Sequence, residues 1–199
     1  MLRLAALLAL LVALDPSAAA AQTPTRVRGV IERVDDQSLV VKAREGQTVT
    51  IKLAPNLGVV AVTKAALDDV KPGTFVGIAA LRQPDGSFKA QEVVVFPESM
   101  RGTGEGHYPW DLTPESTMTN ATVDAVVSQV NGPVLTLKHK GGETKIAVPA
   151  EAPVVTLGPG DKALLAPGAA VFVPATKAAD GALSAMRVLV GKDGLVPPM

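Results

Sequence analysis

The side chains best equipped for chemistry crowd into one segment, Glu98–Thr119. It holds the only tryptophan, Trp110, the only tyrosine, Tyr108, one of two histidines, His107, and two of five methionines, Met100 and Met118. One imidazole, two thioethers and an indole face are a donor set that suits Cu(I), because sulfur softness selects the ion and a ring face supports it by cation–π attraction. Met100, His107 and Met118 are the candidate ligands of such a site. The other reading is packing. Tyr108 and Trp110, framed by Pro109 and Pro114, gain by burial in a groove and each seeks a polar partner at one edge, which makes Tyr108, Trp110 and Asp111 candidate groove- or partner-binding residues. A spacer needs none of these residue types, so a segment this long is expected to be docked.

The remaining motifs carry less. Gly102-Thr103-Gly104-Glu105-Gly106 has the start of a dinucleotide fingerprint, but the third glycine falls on His107 and no Lys-Ser/Thr pair follows. It reads as a hinge. His139, between Lys138 and Lys140 beside Gly141-Gly142, reads as a solvated hairpin residue. Asp35-Asp36 and Asp68-Asp69 are adjacent carboxylates whose side chains diverge, so they serve turns better than an acid/base dyad. The chain has no nucleophile elbow, His-Glu-x-x-His or Ser-x-x-Lys motif, and no cysteine. No enzyme activity is expected, and a glycosidase working through carboxylates alone is the one class that spacing leaves open. Without cysteine there is no disulfide, thiolate zinc site or lipid-bearing cysteine. Nineteen basic residues balance nineteen acidic ones, which leaves no field for a nucleic-acid partner.

The ends and the middle of the chain then fall into order. Met1-Leu2-Arg3, the apolar run Leu4–Leu14 and the small residues Ser17–Ala21 compose a secretory signal peptide over residues 1–21. The run is too short for a bilayer span, so the mature protein is expected to be periplasmic and without stable membrane insertion. Downstream the sequence repeats. Val27–Val34 aligns with Val123–Val130 at a spacing of 96, and Pro72-Gly73, Asp85-Gly86, Ala90 and Val93–Val95 recur 95 positions later. This predicts two units of about 75 residues, 22–97 and 120–199, joined by the linker 98–119.

Each unit reads as strands. Arg28–Val34, Ser38–Ala43, Thr48–Leu53, Thr74–Leu81 and Phe88–Phe96 are short and rich in Val, Ile and Thr, with turn residues between them. Thr63–Val70 and Gly160–Leu165 are predicted as short helices stopped by Pro-Gly. Five strands with one short helix between the third and fourth is the order of an OB-like β-barrel, so the fold class is all-β, two tandem barrels after a signal peptide.

The Gly-Val-Ile strand, the Asp-Asp turn, Leu67–Val76 and Pro84–Val93 together resemble a family of small exported bacterial domains of unknown function, OB-like and often in tandem. That resemblance implies an extracytoplasmic binding or envelope module, with an envelope protein, peptide or polymer as partner and no cofactor. In composition alone, the linker donor set resembles the periplasmic copper chaperone of efflux systems, which implies the alternative function, soft-metal binding. Oligomeric state is open.

Overall fold

A computed structural model describes residues 23–199; the signal peptide expected at 1–21 lies outside them. The fold is all-β and contains a β-barrel. In chain order the strands are β1 (Thr23–Val34), β2 (Ser38–Ala43), β3 (Thr48–Lys64), β4 (Phe75–Arg82), β5 (Phe88–Val95), β6 (Gly106–Pro109), β7 (Ser116–Val127), β8 (Val134–His139), β9 (Gly142–Ala147), β10 (Val154–Pro159), β11 (Ala170–Lys177) and β12 (Leu183–Gly191). The expected helices are single 3-10 turns, Leu67–Asp69 and Lys162–Leu164. Lys71-Pro72-Gly73 and Ala166-Pro167-Gly168 follow too closely for an α-helical turn to propagate.

The pairings close on themselves twice, and neither circuit follows the halves of the chain. One runs β1-β2-β3-β12-β11 and back to β1; the other runs β7-β8-β9-β5-β4 and back to β7. Residues 22–97 therefore do not form a self-contained barrel, contrary to the sequence expectation. Their first three strands join the last two of the chain, and β4 and β5 join β7, β8 and β9. The cause lies in β3, expected to stop at Leu53. It bulges past Ala54–Leu57, where Leu53 pairs with Ala185 but Gly58 pairs with Arg187. Pro55, which cannot donate to a ladder, sits in that bulge. The strand then continues to Lys64 and carries the chain out of the first ring.

The two circuits match in register. Ile51 opposite Leu183 and Val59 opposite Val188 in one correspond to Ile146 opposite Phe88 and Val154 opposite Val93 in the other. The extension of β3 meets β10 antiparallel, with Val62 opposite Leu157 at the centre. One correction concerns the first strand. Ile31 faces Val41 before a bulge as Val123 faces Leu137, so the matching residues stand 92 apart, not 96. The turn between β7 and β8 has gained the difference.

Each ring has its own core. Ile31, Leu39, Val41, Ile51, Val173 and Val188 fill the first, closed by Leu165. Val76, Ile78, Val93, Leu135, Leu137 and Ile146 fill the second, closed by Val70. These inward positions alternate along their strands, as a half-buried strand requires. A third cluster lies between the rings, where Val62, Val94, Val155, Leu157, Phe172 and Leu189 are joined by Met199 and, from the linker, Met100 and Trp110.

Candidate functional site

The linker is built by short-range turns and then pinned. A 3-10 turn at Glu98–Met100 is held by Arg101, whose guanidinium pairs with Glu98 and donates to the Gly73 carbonyl at 2.9 Å. The glycine stretch expected as a hinge is a docked turn. Gly104, at φ +57, lies so close to Asn120 and Tyr108 that a Cβ would sit 3.0 Å from the Asn120 amide nitrogen. The chain then forms β6 against β7, with His107 opposite Thr119 and Tyr108 opposite Met118. Beyond it, the Trp110 amide donates to the Ser116 carbonyl, and the Ser116 hydroxyl donates back to the Trp110 and Thr113 carbonyls. Reciprocal bonds between Gln91 and the Thr113 hydroxyl fasten this loop to β5.

Trp110 lies at the junction of the rings. The Arg26 guanidinium stacks over its indole at 3.9 Å, and Phe172 stands 6.4 Å away. Asp111 binds Arg28 at 2.7 Å and Arg26 at 3.4 Å. Burial acts to raise the Asp111 carboxyl, but the hydrogen bond and charge of Arg28 and the charge of Arg26 outweigh it and hold the group below the usual carboxylate range. Arg28 is itself buried, and its Nε donates to the Met199 carbonyl. Tyr108 accepts at its hydroxyl from the Asn120 amide at 3.2 Å, and burial raises its phenol despite the nearby Arg26. Linker, first strand and tail thus meet at Arg28.

The three candidate metal ligands do not converge. Successive residues of a strand point to opposite faces, and His107 shares its face with Thr119, to which its Nδ1 bonds at 2.8 Å. There it packs edge-on to Phe88 and stacks on His139 at 6.2 Å. Burial, and then the charge of His139, lower the His107 pKa. Met118 points the other way, with Tyr108, into a pocket of about 160 Å³ whose walls include Met100, Met199 and Trp110. Sequence spacing gave no signal that His139 would meet His107, because the two lie on different hairpins.

Two further features were not legible in the chain. Glu92 on β5 is fully buried, neither carboxylate oxygen has a hydrogen-bond partner among the described residues, and burial raises its pKa to about 8 although Arg28 attracts its charge. Its neighbours Ala90, Val93 and Val94 gave no hint of a partner. The second feature is a cleft of about 560 Å³ between β1, β2 and the tail, walled by Val30, Ala43, Leu112, Val171, Val196 and Pro197, with Lys42, Arg44 and Glu32 at its edge. Val30 and Val196 are 44% and 70% exposed. Arg44 donates to the Leu112 carbonyl at 3.2 Å, which ties the cleft to the linker.

No curated protein and no solved structure matches the chain. Residues 28–94, from Arg28 in β1 to Val94 in β5, match the family model described as a domain of unknown function (DUF5666).

Proposed function

We propose that the protein is an exported periplasmic binding or adaptor module without catalytic activity. In this reading it consists of two OB-like copies that exchange their last two strands, and the linker with Tyr108, Trp110 and Asp111 braces the copies into one body. The observation that carries it is the cleft beside β1, whose walls are apolar yet open to solvent, with Val30 and Val196 uncovered. Uncovered apolar surface in a recess marks binding sites more often than ordinary surface. Lys42 and Arg44 outnumber Glu32 at the edge, so the partner is an extended envelope peptide, protein segment or polymer carrying apolar groups beside acidic ones. The matched registers of the two circuits support the duplicated unit.

Selection of a random peptide library on the immobilised mature protein tests the cleft. Apolar sequences with acidic residues should be enriched on the parent and lost with Val30→Asp. Equal enrichment on both proteins would remove the cleft as the site. The soft-metal alternative loses its imidazole, since His107 faces away from Met100 and Met118. Under it, Ag(I) would quench Trp110 fluorescence stoichiometrically; under the adaptor reading the fluorescence stays flat.

A further inference from the structure

The outer face of the first ring sets guanidiniums beside an apolar floor. Arg26 stands opposite Pro174 and Arg28 opposite Phe172 across β1 and β11, and Phe172 in turn stands opposite Leu189 on β12. Val27, Val171, Val173, Val188 and Val190 point into the ring core. The residues that alternate with them, Arg26, Arg28, Phe172, Pro174, Arg187 and Leu189, therefore share the opposite face. The last four of these wall the junction pocket of about 160 Å³, with Met118 and Trp110 among the walls contributed from outside the ring. Two of the three guanidiniums are already held, since Asp111 pairs with both Arg26 and Arg28, and Arg28 also donates to the Met199 carbonyl. Arg187 is exposed and has no hydrogen bond or ion pair among the described residues, and no acidic side chain among them lines the pocket.

We propose that this pocket binds a small monocarboxylate, whose ring-sized apolar body enters among Phe172, Leu189 and Met118 while its carboxylate pairs with Arg187 on the solvent side. The volume matches the apolar cavities of roughly 150 Å³ that hold a benzene ring. The planar fork of an arginine takes a carboxylate through two parallel hydrogen bonds, and one uncommitted guanidinium calls for one negative charge. A cationic head would meet Arg26, Arg28 and Arg187 with only Asp111 between them. A dianion would carry its second charge to an apolar wall unpaired. The site shares only Met199 with the cleft beside β1, and it does not rest on that cleft having a partner.

The test is a titration of the full mature protein with phenylacetate and, separately, with uncharged phenylethanol, followed by the single indole N–H resonance in a proton–nitrogen correlation spectrum. Phenylacetate should move that resonance saturably. Phenylethanol, which has the same ring without the charge, should bind about fivefold more weakly, the most that a solvent-facing ion pair supplies. Added salt should narrow the difference. Arg187→Gln should bring the two affinities together and Arg187→Lys should restore part of the gap; the side chain is exposed, so both variants should fold. Val30→Asp, in the cleft beside β1, should leave the phenylacetate affinity unchanged, which separates this site from that one. An indole resonance unmoved by phenylacetate, equal affinity for acid and alcohol in the parent, a preference for the acid that survives Arg187→Gln, or a phenylacetate response lost with Val30→Asp would each overturn the proposal.

Discussion

At the residue scale, Glu92 is where stability and pH are coupled. Its carboxyl is raised by burial to about 8 in the folded protein, against 4.5 for an unperturbed glutamate. The folded state therefore holds a proton that the unfolded chain releases above 4.5. Its contribution is fully present below pH 4.5 and is lost as pH climbs towards 8, by an amount on the order of 5 kcal/mol. Denaturant midpoints should fall across that window for the parent and stay level for Glu92→Gln, which keeps the shape of the protonated acid. A midpoint falling equally in both proteins would place the pH dependence elsewhere. His107 works in the opposite direction, since burial and His139 lower its pKa; its ring protons should titrate below the free-imidazole range by NMR, and His139→Ala should bring them closer to it. Trp110 is packed but not sealed, so Trp110→Ala should cost about 2–3 kcal/mol by chemical denaturation, below the range for a fully buried ring.

At the scale of elements, β1 and β2 approach so closely that one glycine is obligatory. A Cβ on Gly29 would lie 2.1 Å from the Lys42 carbonyl oxygen, far inside contact distance, and that oxygen belongs to the backbone and cannot step aside. Gly29→Ala should destabilise by more than about 3 kcal/mol, or drive the chain into inclusion bodies. Gly46, with positive φ and open space around it, is the control, where alanine meets only the backbone cost of about 1 kcal/mol. The strands β2, β4 and β5 could be read within a residue or so of their ends, because alternating Val, Ile and Leu between Asp-Gly or Asp-Asp turns leaves few alternatives. The length of β3 could not. Pro55 and Gly58 are breakers by local rules, and only the bulge opposite Ala185–Arg187 lets a strand run through them.

For the whole molecule, strand exchange makes the linker dispensable as a tether once folding is complete. The halves are held together by β1 on β11, β3 on β12, β4 on β7 and β5 on β9. A site-specific protease sequence inserted between Thr103 and Gly104, cut after folding, should leave two fragments that co-elute on size exclusion and separate only in denaturant. Two independently closed barrels would drift apart under the same treatment. Unfolding should also be a single transition, since the rings are coupled by the β3–β10–β5 ladder and by the shared core of Val62, Val94, Leu157 and Phe172.

Apart from β6 in the linker and β10, the order of strands and turns, the doubling of the pattern and the unusual content of the linker are written in the sequence, because each depends on near neighbours and on the alternation of apolar residues. The candidate site was legible only as a composition: Tyr108, Trp110 and the two methionines stood out, but most of their partners, Arg26, Arg28, Phe172 and Met199, come from β1, β11 and the tail, far away in the chain. Which of the hairpins β4–β5 and β11–β12 closes which ring had to wait for the tertiary structure. The two pairs are nearly equivalent in pattern, so local chemistry does not choose between them. The choice falls to the extension of β3, which at about 3.3 Å per residue carries the chain from the first ring across the junction and delivers Phe75 beside Thr122.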